Sequence, residues 1–116
     1  FFFIHIKKTD SYGEDGDFGK KVKIIEEFDK NLKKFIKLNP STLVVTGDHS
    51  TPSIMKSHSW HPNPFLIKSQ YQRLNMEKGI NFSENQCAKG VLGRFYSIDI
   101  LPLMMAHSMK FKKYGA

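Results

Sequence analysis

The sequence predicts an α/β chain built on a mainly parallel sheet. Three observations carry that class. Phe1–Ile6 is a short, apolar, β-prone run. Residues 18–38 repeat apolar side chains at spacings of three and four, the signature of an amphipathic helix. Thr42–Thr46 is a second apolar run of strand length. Strand, long helix and strand in succession make a βαβ unit, which implies parallel strands and a right-handed crossover.

Each element has its own local warrant. Phe1-Phe2-Phe3-Ile4-His5-Ile6 has neither the basic leader nor the cleavage site of a signal peptide, so it reads as a buried strand. A chain that opens in mid-strand is expected to be a piece of a longer protein, with the missing part on the N-terminal side. Residues 8–17, with two glycines and four acidic residues, read as a polar loop. In the helix, Phe18, Val22, Ile25, Phe28, Leu32, Phe35 and Ile36 share one face. Most of Lys20, Lys21, Lys23, Lys30, Lys33, Lys34 and Lys37 fall on the solvated face, and Asp17 is placed to cap the start. Asn39-Pro40-Ser41 ends it, because Pro40 biases its predecessor away from helical geometry.

The second strand reads as apolar enough to be buried on both faces. Residues 47–64 form a long loop, of a length usually reserved for function. Phe65–Lys68 is a candidate third strand, and residues 69–82 follow no clear period. Ser83 can cap a short helix over 84–89 that Gly90 stops. Asp99 can cap a last helix through about residue 109, with Pro102 in the first turn, where no N–H is needed.

Composition narrows the partners. The chain has 116 residues, with 18 Lys+Arg against 11 Asp+Glu and a formal net charge of +7. At 40% hydrophobic and 25% charged it falls in the globular range, and its length allows one domain. The single cysteine, Cys87, excludes an internal disulfide and favours a reducing, cytoplasmic compartment. No apolar run approaches the roughly 20 residues that span a bilayer, so no membrane partner is expected. Nucleic-acid binding wants basic residues interleaved with exposed aromatics, whereas most aromatics here fall on core-facing positions; no nucleic-acid partner is expected. The basic balance points only weakly to a phosphate-bearing ligand.

The chemistry-bearing residues cluster after the two main strands, where parallel α/β sheets bind ligands. The first strand is followed by Asp10, Glu14, Asp15 and Asp17, the second by Asp48, His49, His58 and His61. Carboxylates and imidazoles converging on one edge suit a divalent metal with mixed O and N ligands. On an extended segment, adjacent Asp48 and His49 would point to opposite sides and serve two ions a few ångströms apart. Plainer readings stand beside this one. An Asp-His pair in a turn is more often a capping pair, and His58 or His61 can be a surface residue. His5, inside a strand, reads as a satisfied core histidine, and Cys87 as packing. The acidic loop lacks the EF-hand spacing for Ca²⁺.

Thr46-Gly47-Asp48-His49-Ser50-Thr51-Pro52 followed by His58-Ser59-Trp60-His61-Pro62-Asn63-Pro64 resembles the cofactor-independent phosphoglycerate mutases, most closely their archaeal-type branch. Lys8-Thr9-Asp10 with Gly13-Glu14-Asp15-Gly16 resembles the family's preceding metal motif, and Lys113-Tyr114-Gly115-Ala116 its usual end. The resemblance implies the C-terminal portion, residues 1–116, of an alkaline-phosphatase-like αβα sandwich, without its N-terminal part and capping domain. It implies a metal-dependent interconversion of 3-phosphoglycerate and 2-phosphoglycerate through a phosphoserine, with the nucleophilic serine upstream and no catalytic nucleophile in this chain.

Two divalent ions are implied, usually Mn²⁺, with Zn²⁺, Co²⁺ and Mg²⁺ as alternatives. Carried over by motif, Asp10 and His58 bind one ion, and Asp48 and His49 the other. Glu14 stands where the family commonly has His, which offers a harder ligand. The phosphoglycerate itself would be held largely by basic residues of the rest of the polypeptide, with Lys7 or Lys8 as contributors. A superfamily phosphatase or phosphodiesterase, or a non-catalytic metal-binding remnant, is the alternative. The fragment alone is expected to be inactive.

Overall fold

In the computed structural model, residues 1–72 and 80–112 are described. The element order is α1 (Lys8–Glu14), α2 (Phe18–Ile36), β1 (Thr42–Thr46), β2 (Phe65–Ser69), α3 (Glu84–Cys87), a 3₁₀ turn at Ser97–Asp99 and α4 (Ile100–His107). These fall into two units, Phe1–Asn39 with Asp48–Pro62, and Pro40–Gly47 with the described residues from Asn63 onward.

In the first unit, α1 packs against α2 across a very short connection. The sequence between them dictates the turn. Gly16 has φ +73°, a left-handed conformation that glycine adopts without steric cost. With Gly16 so placed, its N–H reaches the Gly13 carbonyl at 3.0 Å and the Asp17 N–H reaches the Tyr12 carbonyl at 2.9 Å. Those two bonds satisfy the last carbonyls of α1 in the pattern of a glycine-terminated helix. Asp17 then caps α2, its carboxylate accepting the Lys20 backbone N–H at 2.9 Å. One residue thus closes one helix and opens the next.

This corrects the reading of residues 8–17 as a loop. The two glycines that suggested a loop have separate jobs: Gly16 ends α1, and Gly13 lies within α1, buried. The α2 prediction of 18–38 overshoots by two residues, and Asn39, at φ +48° before Pro40, follows its end. Val22, Phe28, Leu32 and Phe35 are half-buried along the apolar face, while Phe18, Ile25 and Ile36 are exposed.

Residues 1–6 form no strand among the described residues, and Phe1, Phe2 and Phe3 are between 80% and 92% exposed. An apolar run encodes a propensity for the strand conformation but not the partner that makes a strand. His5 is correspondingly exposed rather than a core histidine. The premise that aromatics face a core also fails at Phe18 and Trp60, which are 68% and 83% exposed.

The second unit holds a two-stranded sheet. β1 and β2 are antiparallel, with Val44 opposite Ile67 and Thr46 opposite Phe65. The predicted βαβ unit lacks its first strand, because residues 1–6 form none, and the sheet among the described residues is antiparallel. A parallel partner needs a crossover that carries the chain back to the start of the sheet, and residues 47–64 return it as a loop instead. Residues 42–45 of β1 are half-buried rather than buried on both faces.

The predicted third strand is present as β2, one residue longer than expected. Thr46 Oγ1 donates to the Pro64 carbonyl at 3.0 Å, which fixes the entry to β2. α4 lies against β1. At its end, Ser69 Oγ meets His107 Nδ1 at 3.0 Å and Thr42 Oγ1 meets Ser108 Oγ at 2.8 Å.

Ser83 caps α3 as expected, accepting the Gln86 N–H at 3.4 Å, but the helix stops at Cys87. Cys87 is free and half-buried. Asp99 precedes α4 without a side-chain cap bond, the 3₁₀ turn leading the chain in instead, and α4 ends at His107. Part of the ambiguous stretch 69–82, and the closing Lys113-Tyr114-Gly115-Ala116, lie outside the described residues.

Among the described residues no apolar side chain is fully buried; the buried polar ones are Thr51 and Ser69, at 5% and 6% exposure. None of the described helices is long and apolar enough to cross a membrane.

Asp17 supplies a pH-dependent test of the α1–α2 junction. Its bonds with the Lys20 side chain, foremost, and with the Lys20 backbone N–H hold its carboxyl below the ordinary range. A carboxylate lowered in the folded state contributes stability above its unfolded pKa and loses it as pH falls through the folded one. Asp17→Ala should therefore lower the urea midpoint at neutral pH, and the difference from the parent chain should close below about pH 4. Urea titrations followed by circular dichroism at two pH values check this.

Candidate metal centre

The site is built in the first unit from α1 and the segment 48–62. α1 carries Asp10 and Glu14, which are four apart and so share one face of the helix. The 48–62 segment folds back on itself through an antiparallel bridge between Ser50 and Ser59, with the Ser59 N–H on the Ser50 carbonyl at 2.8 Å. That bridge brings His58 beside His49, ring centroids 3.9 Å apart. A turn closes the segment, with the Met55 and Lys56 N–H groups on the Pro52 carbonyl at 2.9 and 3.1 Å.

All five sequence-predicted residues meet here. His58 Nε2 lies 3.5 Å from Asp10 Oδ1 and 3.7 Å from Glu14 Oε1. His49 Nδ1 lies 3.9 Å from Asp10 Oδ1, and His49 Nε2 lies 3.6 Å from Asp48 Oδ2. Asp10, His49 and His58 each offer a ligand atom within 4.8 Å of the others. These separations exceed hydrogen-bond length. Metal–ligand bonds of about 2.0–2.2 Å at tetrahedral to octahedral angles put donors about 2.8–3.6 Å apart, so the shortest of these separations fall within that spacing and the others lie wider than it. The donor set, carboxylate oxygens with imidazole nitrogens, fits a divalent ion of borderline hardness.

Asp48 and His49 do not diverge as an extended segment would place them. They sit in a bend, where Asp48 Oδ1 accepts the His49 backbone N–H at 3.0 Å and Oδ2 faces the His49 ring. The capping reading of this pair is realised through Oδ1, while Oδ2 is engaged only by the nearby imidazoles. His61 is outside the cluster, bonded to Ser59 Oγ at 2.8 Å and stacked on Trp60. Of the other acidic residues, Asp15 and Asp17 serve the α1–α2 turn. Lys8 Nζ lies over the Tyr12 ring at 5.9 Å, away from the cluster.

Two participants were missed in the sequence. His5 Nε2 is 3.8 Å from Asp48 Oδ2, a third imidazole at the rim, and its place in an apolar run concealed it. Thr51 is buried at the centre. Its hydroxyl donates to Asp10 Oδ1 at 2.7 Å and contacts His49 Nδ1 at 3.1 Å, and its carbonyl accepts from Lys21 Nζ. The Thr51 hydroxyl is the largest influence holding the Asp10 carboxyl below the ordinary range. Partial burial opposes it, while His49, His58 and Lys21 act in the same direction as the hydroxyl. These contacts favour the ionised carboxylate, the form a metal needs.

A family model described as the Metalloenzyme superfamily matches residues 1–107. The chain belongs to the Metalloenzyme superfamily. Membership implies divalent-metal binding, and Asp10, His49 and His58 form a group that could hold such an ion. Along its whole length the chain is 53% identical to a protein of Thermosipho africanus and 52% identical to one of Aquifex aeolicus. Both carry the name probable 2,3-bisphosphoglycerate-independent phosphoglycerate mutase. The chain spans 28% of the length of these relatives. Among solved structures, the PH0037 protein of Pyrococcus horikoshii is similar with a TM-score of 0.87 and 36% identity, over 98% of this chain and 35% of that one.

Gly13 tests the packing beneath the cluster. A Cβ there would strike the Thr51 carbonyl oxygen and lie 2.9 Å from Thr51 Cγ2. Gly13→Ala should destabilise the chain by about 1–3 kcal/mol, the range for overpacking a tight contact, as read by chemical denaturation.

Proposed function

We propose that this chain supplies the metal-binding part of a cofactor-independent phosphoglycerate mutase. In this reading residues 1–116 are the C-terminal portion of its phosphatase-like domain, within an αβα sandwich whose sheet is mainly parallel. The reaction is the interconversion of 3-phosphoglycerate and 2-phosphoglycerate through a phosphoserine, in the cytoplasm. One observation carries the proposal. Similarity to proteins named as probable mutases covers 100% of the chain, and so includes every segment that contributes to the cluster.

The distances favour a division of ligands. In this reading Asp10, Glu14 and His58 form one set, supported by His58 Nε2 lying within 3.7 Å of both carboxylates; Asp48 and His49, which also lies 3.9 Å from Asp10, form the other, to be completed by a serine and a carboxylate from the rest of the polypeptide. Mn²⁺ suits both sets, and the Glu14 carboxylate shifts the first toward harder ions. When bound, the ions offset the charge on a phosphoryl group and lower the pKa of the attacking hydroxyl. The chain's own residues hold the geometry. Thr51 fixes the Asp10 carboxylate, Asp48 Oδ1 ties down the His49 backbone, and the Ser50–Ser59 bridge keeps His58 against His49.

Titration of the chain with Mn²⁺, followed by electron paramagnetic resonance, tests the first set. His58→Ala should weaken binding by at least about tenfold, since loss of a ligand costs no less than loss of a group that orients one. Unchanged binding would overturn the assignment. In the whole protein, Asp48→Asn should lower Mn²⁺-dependent conversion of 3-phosphoglycerate by about 100-fold or more, against no conversion by the 116-residue chain alone. Turnover by the isolated chain would refute its place as one part of the site.

A further inference from the structure

The Thr51 hydroxyl has two neighbours and one proton, which decides more than the position of Asp10. A hydroxyl offers one donor and two acceptor lone pairs, whereas an ionised carboxylate only accepts. Facing Asp10 Oδ1 at 2.7 Å, the hydroxyl must donate there. Its contact with His49 Nδ1 at 3.1 Å can then be a hydrogen bond only if the imidazole is the donor. Neutral imidazole carries one proton, so placing it on Nδ1 leaves the lone pair on Nε2. Nε2 is the atom that faces Asp48 Oδ2, at 3.6 Å.

We propose that Thr51 is a positioning residue that sets the tautomer of His49, holding its proton on Nδ1 so that Nε2 presents a lone pair beside Asp48. The chain of bonds runs from His49 Nδ1–H to Thr51 Oγ1 and from Thr51 O–H to Asp10 Oδ1. One hydroxyl thereby links the carboxylate of one proposed ligand set to the imidazole of the other. The hydroxyl is itself fixed. Thr51 is buried, Lys21 Nζ anchors its carbonyl, and Gly13 lies directly against it. A metal-ligating histidine commonly bonds its second nitrogen to a carboxylate or carbonyl; here the carboxylate is reached through a hydroxyl. The inference rests on the proposed metal centre for its purpose, but not for its first observable.

That observable is the tautomer. Long-range ¹H–¹⁵N correlation on the full 116-residue chain, with ¹⁵N-labelled histidine and no added metal, above the imidazole pKa, reads which His49 nitrogen is protonated. Protonation at Nδ1 in the parent chain is expected. Protonation at Nε2 overturns the proposal whether or not any variant folds. Thr51→Val, which keeps the shape and removes the hydroxyl, should move the proton toward Nε2 and weaken Mn²⁺ binding about tenfold. Thr51→Ser should restore both readouts, which separates the hydroxyl from packing of the methyl group. A valine variant with the parent tautomer and affinity would also overturn the proposal. A parent chain that shows the Nδ1–H tautomer but binds no Mn²⁺ would sink the metal centre while leaving the hydroxyl's role intact.

Discussion

The first unit depends on one hydrogen bond, from the Thr51 hydroxyl to the Asp10 carboxylate at 2.7 Å. The other polar contacts between α1 and the 48–62 segment, of His49 and His58 with Asp10 and of His58 with Glu14, are longer, at 3.5–3.9 Å. Hydrogen bonds to a charged partner contribute about 1.5–3 kcal/mol, more than a neutral pair. The bond also needs room. Thr51 approaches α1 so closely that only a residue without a Cβ fits at position 13. A helix pays for an internal glycine in propensity; here the glycine permits the contact that places Asp10.

The polar cluster is held from outside rather than within. Its carboxylates and imidazoles stand 3.5–3.9 Å apart, too far to bond one another. Their fixed bonds run instead to groups outside the proposed ligand set: the Thr51 hydroxyl, the His49 backbone N–H, and the backbone bridge at Ser50 and Ser59. Such an arrangement leaves lone pairs of several donors directed at a common space.

Local rules made much of this legible, and non-local ones did not. Asp17 and Ser83 were readable as caps because a cap is decided within four residues. The apolar period of α2 and the run at Phe65 were equally local. Gly13 and Gly16 misled because glycine marks a loop, a helix end or a close approach, and only the neighbour at Thr51 distinguishes these. Strand direction was beyond reach, since Thr42–Thr46 pairs with residues on the far side of a loop that follows no period. At the site, ligand-type residues could be named from type and motif alone. Thr51 could not, because a hydroxyl gains its role from what it touches.

The two buried polar side chains each set a hydroxyl beside an imidazole, with different consequences. Ser69 accepts the Tyr71 N–H at 3.2 Å and meets His107 Nδ1 at 3.0 Å, where its proton and its second lone pair allow either direction. At Thr51 the proton goes to a carboxylate, and the imidazole must donate. A hydroxyl beside histidine therefore carries no fixed meaning. A third group that only accepts takes the hydroxyl's single proton and makes the ring the donor at Nδ1, whereas a third group that donates leaves both directions available. At Ser69 the third group is a backbone donor, so the contact with His107 has no fixed direction. At Thr51 it is an acid, and the consequence is an imidazole whose Nε2 lone pair faces the Asp48 carboxylate.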